Sequence, residues 1–441
     1  MRKKGGFGSV DEGFAWFETF ANLERTGRFS ERNYKLDRMR EMADASKHTE
    51  RSFRSVHIAG SKGKGSTAVL TASVLEAAGY STGLYTSPHL QDYRERISRP
   101  GGFFDDGILL EAMNEVRKSV ENRRKPGDPP TTFELLTLCA FFTFRSAGCE
   151  WAVLETGLGG RLDSTNIVSP EACILTPIEL EHTDVLGSTL EEIAGEKAGI
   201  MKPGIPVFMG FQKPAAEKVF RRRAEEIHAP LYSLAEELTR METETGKTGT
   251  ALTAAWRADP PLECTLSFHG RHQAENACLA ALCLNTLGRT GRIPPVPCNC
   301  MQGGLSEARL PGRFEIMENE PLFILDTAHT PASVQRTVAT LKEITAEKGV
   351  LLFGAVSGKD IPGMASILCP EFDRIILSRP GHFKPSDPQE AARVFGSLHP
   401  RVELEEDPAS ALGKARLYAS GGLPVLVTGS FYMAAEIRKL L

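Results

Sequence analysis

Hydrophobic residues along this chain fall into short runs of strand length that alternate with longer stretches of helical spacing. Residues 55–59 form one such run, and residues 67–78 then carry apolar side chains at helical spacing up to a stop at Gly79. Further strand-length runs follow in the first half of the chain, at 81–85, 151–155, 172–177 and 207–210. This alternation predicts an α/β fold in which a mostly parallel sheet is covered by helices.

The same alternation restarts in the last third of the chain. Strand-length runs lie at 323–326, 350–354, 374–377 and 424–430. Thr330 followed by Pro331 predicts the N-terminus of a helix that reaches about residue 347. Residues 289–312 are rich in proline and glycine, so we place an interdomain linker there. The sequence therefore predicts a first domain over residues 1–306 and a smaller, Rossmann-like α/β domain over residues 307–441.

Four other stretches complete the predicted secondary structure. Residues 11–48 are predicted to form a helical lead-in whose aromatic side chains pack in the core, and residues 131–144 an apolar helix. Residues 231–270 are predicted to be β-rich or irregular. A helix over residues 273–282 is expected to stop at Gly288.

The turn between the first strand and its helix has the composition of a phosphate cradle. Three glycines lie between residues 60 and 65, where backbone N–H groups at a helix N-terminus can close on an anion. Lys64 can reach terminal phosphates, and the hydroxyl of Ser66 or Thr67 suits a magnesium ion. The loop differs from G-x-x-x-x-G-K-[S/T] by one glycine between the lysine and the hydroxyl. We therefore predict that the first domain is a P-loop-type ATPase domain with a variant loop.

Other polar residues follow the predicted strands. Glu155 ends a strand, where an acid that faces a phosphate loop suits a magnesium ligand. Ser87 stands in a Ser-Pro-His loop and could bind metal or phosphate, although such a turn is ordinary by itself. His182 could ligate a metal as a neutral imidazole, whereas a lone loop histidine is usually only solvated. Lys197 lies on a mixed helix face, which by default indicates a surface lysine.

The length, charge and cysteine content of the chain exclude several classes of protein. A length of 441 residues favours two or three domains, and 24% charged residues with 41% hydrophobic residues exclude a disordered chain. A net charge of −4 argues against bulk nucleic-acid binding. Nine scattered cysteines without zinc-site spacing predict reduced thiols. Without a membrane-spanning run or a signal-peptide core, the protein is expected to be cytoplasmic, with no membrane partner.

Several separated stretches together resemble the folylpolyglutamate synthase/dihydrofolate synthase family, a branch of the Mur ligase superfamily. The main matches lie at 57–67, 85–90, 154–166, 182–199 and 323–331. Further matches lie at 270–273, 276–277, 311–313 and 427–430. The order and rough spacing are kept from about residue 30 to the C-terminus.

The resemblance implies an ATP-dependent amide ligase that acts as a monomer. It would join L-glutamate to dihydropteroate, to folates or to both, through an acyl phosphate made with ATP and Mg²⁺. The implied ATP-binding residues are Gly63, Lys64, Gly65, Ser66, Asn276, Arg313 and Asp326. The implied magnesium ligands are Ser87, Glu155 and His182.

Catalytic and substrate roles follow from the same resemblance. Lys197 matches a lysine that family members carry as a carbamate, which would turn a cation into an anionic oxygen ligand beside magnesium. With Lys64 and His329 it forms the implied catalytic set, and His329 would position phosphate or the amine. The implied pterin-site residues are Thr132, Phe133 and Arg161.

The chain departs from the family pattern at a few positions, which leaves alternatives open. Ser61 and Lys62 replace Thr and Asn in the family's G-T-N-G-K-G-S loop, Glu181 replaces an aspartate, and residues 327 and 330 replace a glycine and an asparagine. One alternative is a related ligase for another carboxylate, such as a peptidoglycan precursor. Another is a nucleotide-binding protein without ligase activity.

Overall fold

The computed structural model of this protein describes residues 6–26, 35–122, 128–381 and 384–441. These residues separate into two compact units. The first holds the described residues up to Met241, together with Thr253–Cys264 and Glu275–Arg309. The second holds Glu242–Leu252, Thr265–Ala274 and Leu310–Leu441. Within the described ranges, every helix is too short or too polar to cross a membrane.

Helices and strands alternate through the first part of the chain. In order they are α1 (Val10–Phe17), α2 (Leu23–Thr26), α3 (Asp37–Ala45), β1 (Arg54–Ala59), α4 (Lys64–Ala77), β2 (Thr82–Tyr85), β3 (Ile97–Arg99), β4 (Gly102–Phe103), α5 (Asp106–Glu121), α6 (Thr132–Ser146), β5 (Trp151–Glu155), β6 (Ala172–Leu175), α7 (Thr183–Leu186), α8 (Leu190–Ala198), β7 (Val207–Met209), α9 (Pro214–Glu226) and β8 (Leu231–Ser233). Part of the predicted helical lead-in, residues 27–34, lies outside the described residues.

The eight strands of this part form one sheet with the order β4-β3-β2-β5-β1-β6-β7-β8. Pairing is parallel from β2 across to β8 and antiparallel only where β3 and β4 are added at one edge. Strand β1 therefore lies between β5 and β6, with Ile58 beside Glu155 and Ala59 beside Leu175. The predicted α/β fold with a mostly parallel sheet is confirmed.

Apolar side chains of this sheet pack under the surrounding helices. Tyr85 and Leu154 join the buried aromatic residues of α1 and α6, which include Phe14 and Phe17, as expected for core residues. Helix α4 is buried from Gly65 through Leu75. A helix with no exposed face in this stretch needs apolar or small residues all round, so its periodicity in the sequence is weak.

The chain then forms α10 (Leu234–Glu237), β9 (Leu238–Gly246), β10 (Gly249–Trp256), β11 (Leu262–Leu266), α11 (Arg271–Arg289) and α12 (Cys298–Glu307). The strands form a sheet with the order β11-β10-β9, as the β-rich prediction for this region expected. Two expectations were wrong. Helix α11 continues through Gly288, and the stretch predicted as a linker contains α12, which packs closely on α4 through Gly304.

The second unit contains another α/β sheet. Its elements are β12 (Glu315–Asn319), β13 (Leu322–Leu325), α13 (Pro331–Ile344), β14 (Gly349–Phe353), α14 (Ile361–Leu368), β15 (Phe372–Leu377), α15 (Pro388–Leu398), β16 (Val402–Leu404), α16 (Pro408–Tyr418), β17 (Val425–Thr428) and α17 (Phe431–Leu440). The strand order is β12-β13-β17-β14-β15-β16, with only the β12–β13 pair antiparallel.

Alternate residues of these strands face two separate apolar clusters. In β14, Leu351 and Phe353 join the cluster of α13, α14 and α15, whereas Val350 and Leu352 join the cluster of α16 and α17. Successive side chains of a strand point to opposite faces, so helices cover both faces of this sheet. A mostly parallel sheet buried on both sides is the predicted Rossmann-like arrangement.

Candidate active site

The predicted phosphate loop joins the carboxyl end of β1 to the N-terminus of α4. The N–H groups of Ser61 and Lys62 both donate to the Pro177 carbonyl, over 3.0 and 3.2 Å. The Ser61 hydroxyl donates to the Glu179 carbonyl over 3.0 Å. These contacts fix the loop against the segment that follows β6, which is the neighbouring strand of the sheet.

Gly63 is held in a conformation that only glycine adopts readily. It precedes α4 with φ at 85°, and a Cβ atom there would lie 2.5 Å from Oδ1 of Asn276 on α11. Asn276 is itself buried, with 6% of its surface exposed. The predicted ATP-binding residues Gly63 and Asn276 are therefore neighbours, as are Lys64, Gly65 and Ser66 in the first turn of α4. Among the residues that the structure describes, no side chain caps this helix N-terminus, so its first N–H groups suit an anion.

Lys197 is buried, although its position on a mixed helix face indicated a surface residue. Only 1% of it is exposed, and its Nζ donates to the Gly60 carbonyl over 2.7 Å and to Oε1 of Glu181 over 3.0 Å. Burial lowers the pKa of Lys197 to about 8, Glu181 opposes this change, and Lys64 adds to it. The lysine therefore ties α8 both to the phosphate loop and to the segment that follows β6.

Glu181 pairs with Lys197 and is also affected by the charges of the two loop lysines. Burial acts to raise the pKa of its carboxyl, but the charges of Lys197, Lys64 and Lys62 outweigh burial and hold that pKa at about 2. The ammonium groups of the phosphate loop and of α8 are thus electrostatically coupled through one carboxylate.

Two of the predicted magnesium ligands lie together. Glu155 ends β5 with 4% of its surface exposed, and the Ser87 N–H donates to its Oε2 over 3.0 Å. Magnesium is commonly held by one or two carboxylates with phosphate and water oxygens, so Glu155 and the Ser87 hydroxyl fit the ion.

Next to Glu155, the buried hydroxyl of Thr156 has no hydrogen-bond partner within the described residues. In the sequence, the only signal for Thr156 is its place after Glu155, which did not mark it as a candidate.

The third predicted ligand, His182, has a different environment. It is exposed, adopts a left-handed conformation with φ at 48°, and precedes α7. Its ring would supply nitrogen, which magnesium accepts less readily than oxygen. Nowhere in the described ranges do three His, Cys, Asp or Glu side chains form a preassembled metal cluster. The His182 assignment stays a prediction of the family resemblance.

The predicted pterin-site residues have separate environments. Phe133 is half-buried, and its ring lies so close to Gly157 that a Cβ there would approach it to 2.4 Å. Thr132 is buried, and its hydroxyl donates to the Phe17 carbonyl over 3.1 Å. Arg161 is more exposed and pairs with Glu196 over 2.8 Å. The Phe133 ring thus packs close to Gly157, and Thr132 holds the start of α6 to α1.

The predicted residues of the second unit form a hydrogen-bonded cluster. Both carboxylate oxygens of Asp326 accept hydrogen bonds, from the N–H groups of Phe314 and Ala328 over 2.9 Å each. Burial raises the pKa of Asp326. Arg313 lies 4.8 Å from the ring centre of Phe431 and donates to the Thr327 hydroxyl. Asp326 therefore braces the loop that carries Arg313 and the residues after β13.

Histidines add to this cluster. His329 Nδ1 donates to the Thr327 carbonyl over 3.0 Å, which fixes the orientation of the ring. From the sequence, His272 was noted only as part of the family match at residues 270–273. Its pKa is lowered to about 4 by burial and then by the charges of Arg336 and Arg313. Arg313 and His329 thus both contact Thr327, so the charge of Arg313 lies beside the loop that carries His329.

Comparison with known proteins identifies the family. The Mur ligase middle domain matches residues 58–284, and the Mur ligase glutamate ligase domain matches residues 312–431. The dihydrofolate synthase/folylpolyglutamate synthase of Bacillus subtilis is 33% identical over 415 residues, which cover 92% of this chain and 94% of that protein. The chain belongs to the folylpolyglutamate synthase/dihydrofolate synthase family of Mur ligases.

Solved structures of this family share the fold. A Mycobacterium tuberculosis folylpolyglutamate synthase complexed with ADP is 26% identical, with a TM-score of 0.87 and coverage of 98% of each chain. An FPGS–AMPPCP–folate complex is also 26% identical, with a TM-score of 0.83 and coverage of 98% of this chain and 99% of that one.

Glu181→Gln tests the charge network of the phosphate loop. We expect this variant to lower the free energy of unfolding at pH 7 by about 2–3 kcal/mol, because it leaves the buried Lys197 ammonium without its anionic partner. The pKa of Glu181 is about 2 in the folded protein against 4.5 ordinarily. The carboxylate's contribution is therefore complete above 4.5 and is lost as the pH falls toward 2. Urea unfolding at several pH values measures the difference.

Glu115→Gln is the matched control for that variant. Glu115 pairs with Lys118 over 2.6 Å at the surface, where ion pairs contribute little. Equal stability changes in the two variants, or a Glu181→Gln effect that grows as the pH falls from 4.5 to 2, would contradict the network.

Proposed function

We propose that this chain is an ATP-dependent ligase that joins L-glutamate to dihydropteroate, to folates or to both. The observation that carries the proposal is the placement of a phosphate loop, Glu155 and the buried Lys197 at one edge of the first sheet. The relatives and the nucleotide- and folate-bound structures to which the chain is similar support it.

The chemistry begins with a poor acyl donor. A carboxylate is negatively charged and has no leaving group, so it must be activated before an amine can attack it. A carboxylate oxygen of the folate substrate attacks the γ-phosphorus of ATP, the bond to the β–γ bridging oxygen breaks, and ADP leaves. Lys64 and the N–H groups at the start of α4 stabilise the charge on the phosphoryl oxygens. A magnesium ion, held through Glu155 and Ser87, supplies further charge neutralisation when bound.

The acyl phosphate then reacts with the second substrate. The amine of glutamate attacks the acyl carbon, phosphate leaves, and the amine loses a proton as the amide forms. His329, whose ring is oriented by its bond to the Thr327 carbonyl, suits a role in positioning the amine or the departing phosphate. Arg313 supplies positive charge for the nucleotide, and Asp326 holds its loop in place.

The pterin end of the substrate is assigned to the Phe133 region. The half-buried ring of Phe133 can stack on a planar heterocycle. Thr132 fixes the start of α6 by its bond to the Phe17 carbonyl, and Arg161 offers a guanidinium at the surface. We assign substrate orientation to these residues.

ADP release tests the proposed function. With Mg²⁺, ATP and glutamate present, we expect release that depends on added dihydropteroate, tetrahydrofolate or both. Lys64→Ala should lower the rate by a factor of about 10³ or more, because the γ-phosphoryl charge loses its main cation. Lys218→Ala, at an exposed position of α9, is the control and should keep the wild-type rate.

Turnover with both dihydropteroate and tetrahydrofolate would identify a bifunctional synthase. Turnover with only one of them would assign the substrate. No folate-dependent ADP release despite ATP binding would contradict the proposal. That result would favour another carboxylate substrate or a nucleotide-binding role without ligation.

We also propose that Lys197 carries a carbamate. The neutral amine adds to CO₂ and releases a proton, so the modification requires a lysine with a low pKa. At a pKa of about 8, about a tenth of the amine is neutral at pH 7, compared with less than about a thousandth for an ordinary lysine. The carbamate replaces the ammonium that pairs with Glu181 in the unmodified protein, and the charges of Lys64 and Lys62, which act on Glu181, can balance the two anions.

Carbon-13 NMR tests the modification directly. Protein equilibrated with ¹³C-bicarbonate should show one carbamate resonance, which Lys197→Ala removes. Lys202→Ala is the matched control, since burial also lowers the pKa of Lys202. A resonance that survives in Lys197→Ala, or full activity of that variant at low bicarbonate, would overturn the assignment.

Two further predictions concern the state of the protein. All nine cysteines are free thiols, which supports a reducing compartment such as the cytoplasm. The monomeric state implied by the family resemblance stays a prediction.

A further inference from the structure

The loop that follows β2 carries the candidate magnesium ligand Ser87, and Arg96 holds this loop on both sides of that residue. The Arg96 carbonyl accepts the Thr86 N–H over 3.1 Å, and Arg96 Nε donates to His89 Nδ1 over 2.8 Å. Thr86 and His89 flank the Ser87–Pro88 pair in the chain. Arg96 therefore fixes the two ends of the short turn that carries the Ser87 hydroxyl.

The guanidinium of Arg96 is almost fully buried, with 5% of the side chain exposed. Its two terminal nitrogens donate to the two carboxylate oxygens of Glu24 on α2, over 3.0 and 2.6 Å. A guanidinium can make this paired contact and still donate from Nε, because its donors form a rigid planar fork. A lysine could keep the ion pair with Glu24 but could not also reproduce the bond to His89. The side chain thus has the one chemistry that joins α2 to the Ser87 loop.

The His89 ring is held from a second direction by a short helical turn. Its centre lies 4.2 Å from the centre of the Tyr93 ring. Tyr93 and Arg96 are the first and last residues of a single turn of 3₁₀ helix, Tyr93–Arg96. Within that turn, the Glu95 carboxylate accepts the N–H groups of residues 90–92 over 2.6 to 2.9 Å. The turn therefore supports the whole loop between Ser87 and itself.

Ser87 is where this support meets the candidate metal site. Its N–H donates to Oε2 of Glu155 over 3.0 Å, at the carboxyl ends of the neighbouring strands β2 and β5. Residues that orient metal ligands contribute to metal affinity, because the ion needs its ligands at defined positions. We propose that Arg96 is a positioning residue of the magnesium site and acts through His89 on Ser87. The inference rests on the proposed function, which places magnesium at Glu155 and Ser87.

Calorimetry of AMPPCP binding to the full-length chain, with and without Mg²⁺, tests the proposal. The quantity of interest is the factor by which Mg²⁺ strengthens AMPPCP binding. Arg96→Lys should remove most of this factor, since loss of a residue that orients metal ligands costs about tenfold or more in metal affinity. The affinity for AMPPCP without Mg²⁺ should stay within about twofold of the wild-type value, because the phosphate loop keeps its own contacts.

Arg94→Lys is the matched control for that variant. Arg94 lies in the same helical turn and pairs with Asp92 and Asp106 at the surface, with 33% of its side chain exposed. Its hydrogen bonds do not involve the turn that carries Ser87. We expect the control to keep both AMPPCP affinities of the wild-type protein.

Variants of His89 test the route through which Arg96 acts. His89→Ala removes the acceptor and leaves the Arg96–Glu24 pair intact, so it should reduce the Mg²⁺ factor as Arg96→Lys does. The double variant should be no worse than the more affected single variant, because both changes break the same contact. His89→Asn places a carbonyl oxygen where Nδ1 accepts the bond and should recover most of the factor.

The other outcomes separate the alternatives. An unchanged Mg²⁺ factor in Arg96→Lys and His89→Ala would overturn the proposal. Equal losses of AMPPCP affinity with and without Mg²⁺ would also overturn it, because Arg96 would then support the fold and not the metal site. If Arg96→Lys does not fold, the two single His89 variants give the same comparison. A wild-type protein whose AMPPCP affinity is independent of Mg²⁺ would instead contradict the magnesium assignment of the proposed function, and the role of Arg96 with it.

Discussion

In the unmodified protein, one buried ammonium group holds together three segments at the edge of the first sheet. Lys197 of α8 bonds the Gly60 carbonyl at the start of the phosphate loop and Glu181 in the segment that follows β6. A charge with 1% of its residue exposed is tolerated only when it has partners, so these three segments are stabilised together. Removal of the Glu181 carboxylate would leave the ammonium buried without an anionic partner.

The parallel sheet explains why these segments meet. Strand β1 lies between β5 and β6, and the carboxyl ends of parallel strands reach the same edge of a sheet. The phosphate loop, Glu155 and Glu181 follow those three strands in turn. Backbone hydrogen bonds also fix the phosphate loop, because the Pro177 carbonyl accepts hydrogen bonds from two N–H groups of the loop. The candidate functional residues thus lie at the ends of strands and on loops whose positions are fixed by the buried parallel sheet.

Local signals in the sequence were enough to predict much of this arrangement. The apolar run before Gly60, the glycines and the capping residue Thr330 act over a few residues, and the strands and helices that they predict were confirmed. Helix α12 was missed because its stability comes from packing on α4 through Gly304, which proline and glycine content does not reveal. The buried state of Lys197 was missed for the same reason, since its partners lie 137 and 16 residues away in the chain.

The proposed function depends on activation of a folate carboxylate by transfer of the γ-phosphoryl group of ATP. The most direct test uses a folate or pteroate substrate labelled with ¹⁸O in the reacting carboxylate, together with Mg²⁺, ATP and glutamate. The phosphate released should contain one labelled oxygen per turnover, because the oxygen that attacks phosphorus leaves with it. Phosphate without label would mean that water accepts the phosphoryl group and would contradict the account.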